Sequence, residues 1–164
     1  MSKANVNIGA VADLYGANLR EFGVNARSLG WKSAAEQRLR FDLLTRHVDM
    51  SQPLDLIDYG CGFADFLYYM LETKLVKPQR YFGYEINSEI SSIAAMRLEQ
   101  SGISGAVINS SQVDEVADWA VVSGTFNVRL QTAESDWEAT VFEVLERLFV
   151  TTRVGISFNL LSSY

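Results

Sequence analysis

The chain has 164 residues, 48% of them apolar, with fourteen basic and twenty acidic side chains for a net charge of −6. That length and apolar fraction suit one soluble globular domain with a single core. The acidic balance argues against a broad nucleic-acid footprint, and no apolar run approaches the ~18 residues of a membrane span, so we expect neither partner. The single cysteine, Cys61, excludes an intrachain disulfide. The single histidine, His47, stands in no zinc-ligand spacing. The expected compartment is the reducing cytoplasm, since the first ten residues lack the apolar core of a signal peptide.

In chain order, the first fifty residues read as helical. Ser33 and Glu36 form a capping box, and Leu39, Leu43, Leu44 and Val48 recur at helical spacing. Gly23, Gly30 and Trp31 mark an irregular connection before it. A buried strand is expected at 54–59, then a helix from Phe63 to Lys74. A second strand is expected over 81–85, and a helix capped by Asn87 that stops near Gly102. Short strands follow at 106–109 and 119–123. Ser135 with Glu138 reads as a capping box for a helix whose Val141, Val144, Leu145 and Leu148 form one stripe. A fifth strand is expected over 154–158. Pro53 and Pro78 stand just before strands, where a missing N–H does no harm.

Strands alternating with helices, and strands apolar throughout, imply a parallel sheet covered on both faces. The expected fold class is therefore α/β, a Rossmann-like parallel sheet with helices on both faces, about five strands and an N-terminal helical extension. Residues 1–50 are expected to form a helical lead-in and residues 51–164 the core, within one domain overall. In such sheets ligands bind beyond the carboxyl ends of the strands, so the residues after each strand carry the chemistry.

After the first strand the chain reads Asp58-Tyr59-Gly60-Cys61-Gly62-Phe63-Ala64-Asp65. The two glycines permit a sharp turn and close approach of a ligand, and the helix that follows presents its positive end. A carboxylate just before the glycines is a poor neighbour for pyrophosphate and a good one for ammonium. The dinucleotide fingerprint requires a third glycine at position 65, where this chain has Asp65, so a nicotinamide or flavin cofactor is disfavoured. Glu85 ends the second strand, 23 residues after Gly62, where a carboxylate can accept both ribose hydroxyls. Ile86 can pack an adenine face. Cys61 reads as a small filler of the loop, although a helix N-terminus can also lower a thiol pKa.

These residues resemble the class I S-adenosylmethionine-dependent methyltransferases from about Leu54 to Phe158. "LIDYGCGFADFL", "YFGYEIN" and "DWAVVSGTFN" look like their first, second and fourth motifs. The resemblance implies S-adenosyl-L-methionine as cofactor, with Gly60, Cys61 and Gly62 holding its methionine portion and Asp58 nearby. It places Glu85 on the ribose, Ile86, Ser111 and Gln112 around the adenine, and Ser123 and Gly124 beside the sulfonium. Two departures stand out: Ala64 where many members have glycine, and Ser111 where many have aspartate.

"GWKSAAEQRLRF" looks like the lead-in of a subset of these enzymes, with Trp31, Gln37 and Arg40 over the cofactor; it reads equally as a solvated amphipathic helix with Trp31 as a core anchor. Tyr15, Tyr68, Tyr69 and Phe126 are candidates to line an acceptor pocket or the core, and Asn127 to touch the acceptor. The expected function is methyl transfer to an unidentified acceptor, a small molecule being favoured, with no catalytic base in view. The alternatives are an inactive module that binds S-adenosylmethionine or a nucleotide, and, more remotely, a dinucleotide-dependent oxidoreductase. The resembling family has seven strands and the last two are missing from this reading, so self-association through the sheet edge near Val154 to Phe158 is expected.

Overall fold

The structure is a computed structural model and describes residues 7–49, 51–73 and 77–160. Helix α1 (Ile8–Phe22) leads through a 3-10 turn (Ala26–Leu29) to α2 (Ala34–Thr45). Then follow β1 (Asp55–Tyr59), α3 (Asp65–Glu72), β2 (Arg80–Tyr84), α4 (Ser88–Ser101), β3 (Ser104–Ile108), β4 (Ala117–Val122), a 3-10 turn (Thr125–Asn127), α5 (Glu134–Thr151) and β5 (Thr152–Phe158). The five strands form one sheet in the order β3-β2-β1-β4-β5, and every pairing is parallel. The expected strands and helices are all present with shifted ends. Lys74, the expected last residue of the helix after Phe63, lies outside the described residues.

Alternation along each strand divides the core in two. Leu56, Tyr81 and Val121 face one side, packing with Phe66, Leu67 and Met70 of α3 and Ala94 and Leu98 of α4. Ile57, Phe82, Ala120 and Val122 face the other, with Trp137, Val141 and Leu148 of α5. Within α5, Val144 and Leu145 pack against that second core, as their spacing predicts.

Three local expectations are corrected. The buried stripe of α2 is Gln37, Phe41 and Leu44, while Leu39 and Leu43 are exposed. Ser33 Oγ does accept the Glu36 N–H at 3.2 Å, but Glu36 reaches back to the Lys32 N–H at 3.0 Å, one residue past the Ser33 N–H that a capping box uses. Helix α5 begins one residue before Ser135, so Ser135 is inside its first turn; the N-cap is Ala133 with no side-chain bond. Glu134 and Asp136 in that turn supply the negative charge that favours a helix start. Asn87 caps α4 as expected, accepting from the Ile90 N–H at 3.0 Å.

Candidate active site

The strand order reverses between β1 and β4, and the carboxyl ends there open into a cleft of about 1090 Å³, its mouth included. Asp58, Gly60, Cys61, Gly62, Glu85, Ile86, Ser111, Ser123, Gly124 and Phe126 all line it. So do Trp31 and Gln37 from the lead-in. The tertiary fold therefore brings the loop after β1 and the carboxylate after β2 to one cavity.

The loop is built differently from the simplest expectation. The amides of Gly60 and Cys61 both donate to the Tyr84 carbonyl, at 2.8 and 3.0 Å. The Gly62 N–H donates to Glu85 Oε2 at 3.1 Å. Those three donors hold β1 against β2 and are not free for a ligand. Nor is the space left by the missing side chains a ligand cradle. A Cβ on Gly60 would stand 2.0 Å from Thr125 Oγ1, and one on Gly62 2.5 Å from Leu29 Cδ1. The glycines admit Thr125 and Leu29, both of which also line the cleft. Thr125 is held there by donating to the Tyr59 carbonyl at 2.9 Å.

Glu85 is 7% exposed, and its two oxygens accept from the Gly62 and Asn87 amides at 3.1 and 2.9 Å. Burial raises its pKa, against the amide bonds that lower it. Each oxygen keeps a lone pair for a further donor. Asp58 is buried and accepts the Tyr81 hydroxyl at 2.6 Å. Burial pushes its carboxyl up to about 7, opposed by the Tyr81 bond and reinforced by the nearby Asp65 and Glu85. An acid so placed, with no cation beside it among the described residues, is suited to a positively charged ligand group.

Asp65, which stands where a dinucleotide loop has glycine, accepts from Gln37 Nε2 at 3.1 Å and pairs with Arg97 at 2.7 Å. It ties α2, α3 and α4 together beneath the loop. Ala64 adopts a left-handed conformation, φ 59°. That geometry costs an alanine about 1 kcal/mol that glycine avoids. Ala64→Gly is therefore expected to leave the unfolding free energy unchanged within about 0.5 kcal/mol, where Ala→Gly at an ordinary site costs about 0.5–1. Urea titration checks this.

Other expected residues fall elsewhere. Arg40 is not among the lining residues, because α2 turns Gln37 and Phe41 inward instead. Gln112 is exposed, its backbone N–H donating to Ser110 Oγ at 2.9 Å, and Ser110 lines the cleft in its place. Asn127 is not among the lining residues either; its backbone N–H donates to the Gly124 carbonyl at 3.1 Å. Of the four aromatic candidates, Tyr15 and Phe126 reach the cleft. Tyr69 packs in the core and donates to Asp42, and Tyr68 donates to the Arg97 carbonyl under that residue's guanidinium. Cys61 is buried, and burial pushes its thiol up, which fits a filler. Trp31 lies against Gly124, where a Cβ would stand 2.7 Å from its Cζ2. Trp137 also lines the cleft and was missed in the sequence. It stands one turn before Val141, and extending that stripe backwards would have found it.

No family model matches the chain. Among curated proteins, the chain is 35% identical over 119 residues to the Mycobacterium tuberculosis (strain H37Rv) protein named "Putative methyltransferase Rv1506c", covering 73% of this chain and 70% of that one. Among solved structures, it resembles the mycolic acid cyclopropane synthase CmaA1 complexed with SAH and CTAB, with a TM-score of 0.67 at 15% identity. That match covers 93% of this chain and 56% of the synthase, so this chain spans little more than half of it. It also resembles a SAM-dependent methyltransferase from Aquifex aeolicus, with a TM-score of 0.55 at 14% identity, covering 78% and 71% of the two chains. The curated relative and the shared sheet together place the chain in the S-adenosylmethionine-dependent methyltransferase family, with the Rossmann-like fold of class I.

Proposed function

We propose that this chain binds S-adenosylmethionine across the carboxyl ends of β1 and β2 and positions its methyl group for transfer to an acceptor in the same cleft. The observation that carries the reading is Glu85: a buried carboxylate, held in place by two backbone amides, facing the same cavity as the loop Gly60 to Gly62. Its remaining lone pairs are suited to ribose hydroxyls. We assign Ile86, Ser110 and Ser111 of the same cleft to the adenine, and Ser123 and Gly124 to the sulfonium.

Asp58 is suited to the ammonium of the methionine portion. The carboxylate of that portion must find donors other than the amides of 60–62, which are engaged with Tyr84 and Glu85. The bound sulfonium supplies an activated methyl that leaves without acid catalysis. The chain's own work is then alignment of the two reactants, the source of a large part of the rate gain in two-substrate reactions. Calorimetry tests the reading directly. S-adenosylhomocysteine is expected to bind and NAD is not; the reverse result would move the chain to dinucleotide chemistry.

Asp58 gives a pH signature. A carboxyl with a pKa of about 7 in the free protein must lose its proton to pair with an ammonium, and the complex holds it lower. Affinity is therefore close to full at pH 8, about half of that near pH 7, and about tenfold lower at pH 6 than at pH 8. Tyr81→Phe removes the bond that favours the charged form and is expected to move this midpoint upward. A flat affinity over that range by calorimetry would separate Asp58 from the ammonium.

Two further readings belong with this one. Residues 1–50 serve as a lead-in over the cofactor and 51–164 as the core; Leu29 and Trp31 packing on Gly62 and Gly124 support it. Self-association through β5 is supported by its edge position and by the exposure of its Val154, 65%, and of Val150 in the last turn of α5, 70%. Light scattering at high concentration is expected to find a dimer; a monomer would refute it. The compartment we assign is the reducing cytoplasm, a reading supported by the buried lone thiol.

A further inference from the structure

Beyond Gly124 the cleft changes character. Its walls there are Val128 after the second 3-10 turn and Trp137, Thr140 and Val144 of α5; Val11 and Tyr15 of α1 line the side nearer Glu85, where Asn87 Nδ2 donates to the Ala12 carbonyl at 2.9 Å. The charged side chains of the described lining are Asp58 and Glu85. Asp58 follows the opposite side of β1: it is bonded to Tyr81 of the α3 and α4 core, whereas Tyr59, the next residue, packs in the α5 core. Glu85 is held by the Gly62 and Asn87 amides, and its remaining lone pairs go to the ribose in the reading above. Two polar atoms near this region, Ser123 Oγ and Asn127 Oδ1, are buried with no hydrogen-bond partner among the described residues, and of the two residues Ser123 is the one that lines the cleft. A buried hydroxyl left unpaired costs free energy, which a ligand atom in the right place would recover.

We propose that this half of the cleft is an acceptor subsite for a small, uncharged, largely apolar molecule. Such an acceptor hydrogen-bonds Ser123 Oγ through one polar atom and brings a nucleophile that needs no base from the protein. The proposal rests on the methyl-transfer reading above and adds the class of substrate to it.

A permanently charged molecule is selected against because, entering among Val128, Trp137 and Val144, it would lose its hydration with no charged side chain of the lining beside it. The missing base has the same origin. The hydroxyls of Tyr15 and Tyr59 are both pushed up to about 12, chiefly by burial, so they stay protonated and take no proton. An alcohol or phenol acceptor needs its proton removed as it attacks. A thiol enters neutral and ionises readily near neutral pH, giving its proton to water once it faces the cofactor's sulfonium, the counter-charge that the thiolate needs. The thiolate sulfur then forms a bond to the methyl carbon as the bond from that carbon to the sulfonium breaks. Its electron pair passes to the cofactor's sulfur, giving a neutral thioether and S-adenosylhomocysteine.

The test uses the full chain saturated with S-adenosylhomocysteine and titrated by calorimetry. 2-Naphthol is expected to bind at least tenfold more tightly than 2-naphthoate, which has the same body and a charge. Thr140→Asp is expected to weaken 2-naphthol at least tenfold while S-adenosylhomocysteine binds within twofold of the native chain. Val128→Asp repeats this if Thr140→Asp does not fold. Ser123→Ala should weaken 2-naphthol several-fold and leave 2-methylnaphthalene, which has no polar atom, unchanged.

With S-adenosylmethionine present, 2-naphthalenethiol should release S-adenosylhomocysteine at least tenfold faster than 2-naphthol. Equal or tighter binding of the naphthoate, no binding of 2-naphthol, or equal rates for the two acceptors would overturn the proposal while S-adenosylhomocysteine still bound. If S-adenosylhomocysteine itself failed to bind, the methyl-transfer reading would fall first and this one with it.

Discussion

Gly60→Ala is expected to destabilise the fold by about 2–4 kcal/mol, read as a lower denaturation midpoint with unchanged slope. Two costs combine. Gly60 sits at φ 74°, a region that charges an L side chain about 1–2 kcal/mol. The new Cβ would also meet Thr125 at 2.0 Å from Oγ1, 2.9 Å from Cγ2 and 3.0 Å from Cβ. Thr125 cannot swing away freely, because its hydroxyl holds the Tyr59 carbonyl. A double-mutant cycle with Thr125→Gly separates the two, since removing the threonine side chain relieves the collision and leaves the backbone strain. The expected coupling is about 1–3 kcal/mol. Strict additivity would mean that the turn moves aside, and that Gly60 is required by the backbone alone.

Glu85→Gln is the second large effect and is expected in binding. Glutamine keeps the volume but offers one carbonyl where the carboxylate offers two acceptors. Whichever way its amide turns, an NH2 group faces the N–H of Gly62 or of Asn87, so one of those buried donors loses its partner. Loss of a charged acceptor to the ribose is expected to weaken S-adenosylmethionine by about 1.5–3 kcal/mol, roughly ten- to 150-fold. The lost amide bond shows separately as a lower thermal midpoint of the ligand-free chain. Unchanged affinity with an intact fold would refute the ribose assignment, and a drop in stability without a drop in affinity would leave Glu85 a structural clamp between the loop and α4.

Both variants probe a loop whose composition and position were legible in the sequence and whose internal bonding was not. Apolar runs ending in Asp58-Tyr59-Gly60 and in Glu85 identify strand ends whatever the neighbours are. The Tyr84 carbonyl that takes the Gly60 and Cys61 amides becomes available only when β2 pairs with β1 in a register that sets Tyr59 opposite Tyr84. Leu29 and Thr125 reach the loop from 33 residues before Gly62 and 65 after Gly60. No local pattern marks contacts at that range. The misplaced stripe of α2 has a related cause: Gln37 reads as polar, yet Asp65 gives its amide a partner and lets it be buried.

What the sequence determined by itself is the alternation of apolar strands and amphipathic helices, the parallel sheet that this imposes, and the two polar features placed at strand ends, the glycine loop and Glu85. Each follows from local periodicity and backbone chemistry, which neighbours in the chain specify. What the tertiary structure alone decided is the content of the site. It set which amides stay free, which side chains occupy the glycine cradles, that Asp58 loses its solvent and turns into an acid of pKa about 7, and that Ser123 is left without a partner in an apolar cleft. Those properties arise from burial and from the convergence of distant segments. They exist only once β1, β2 and β4 are side by side.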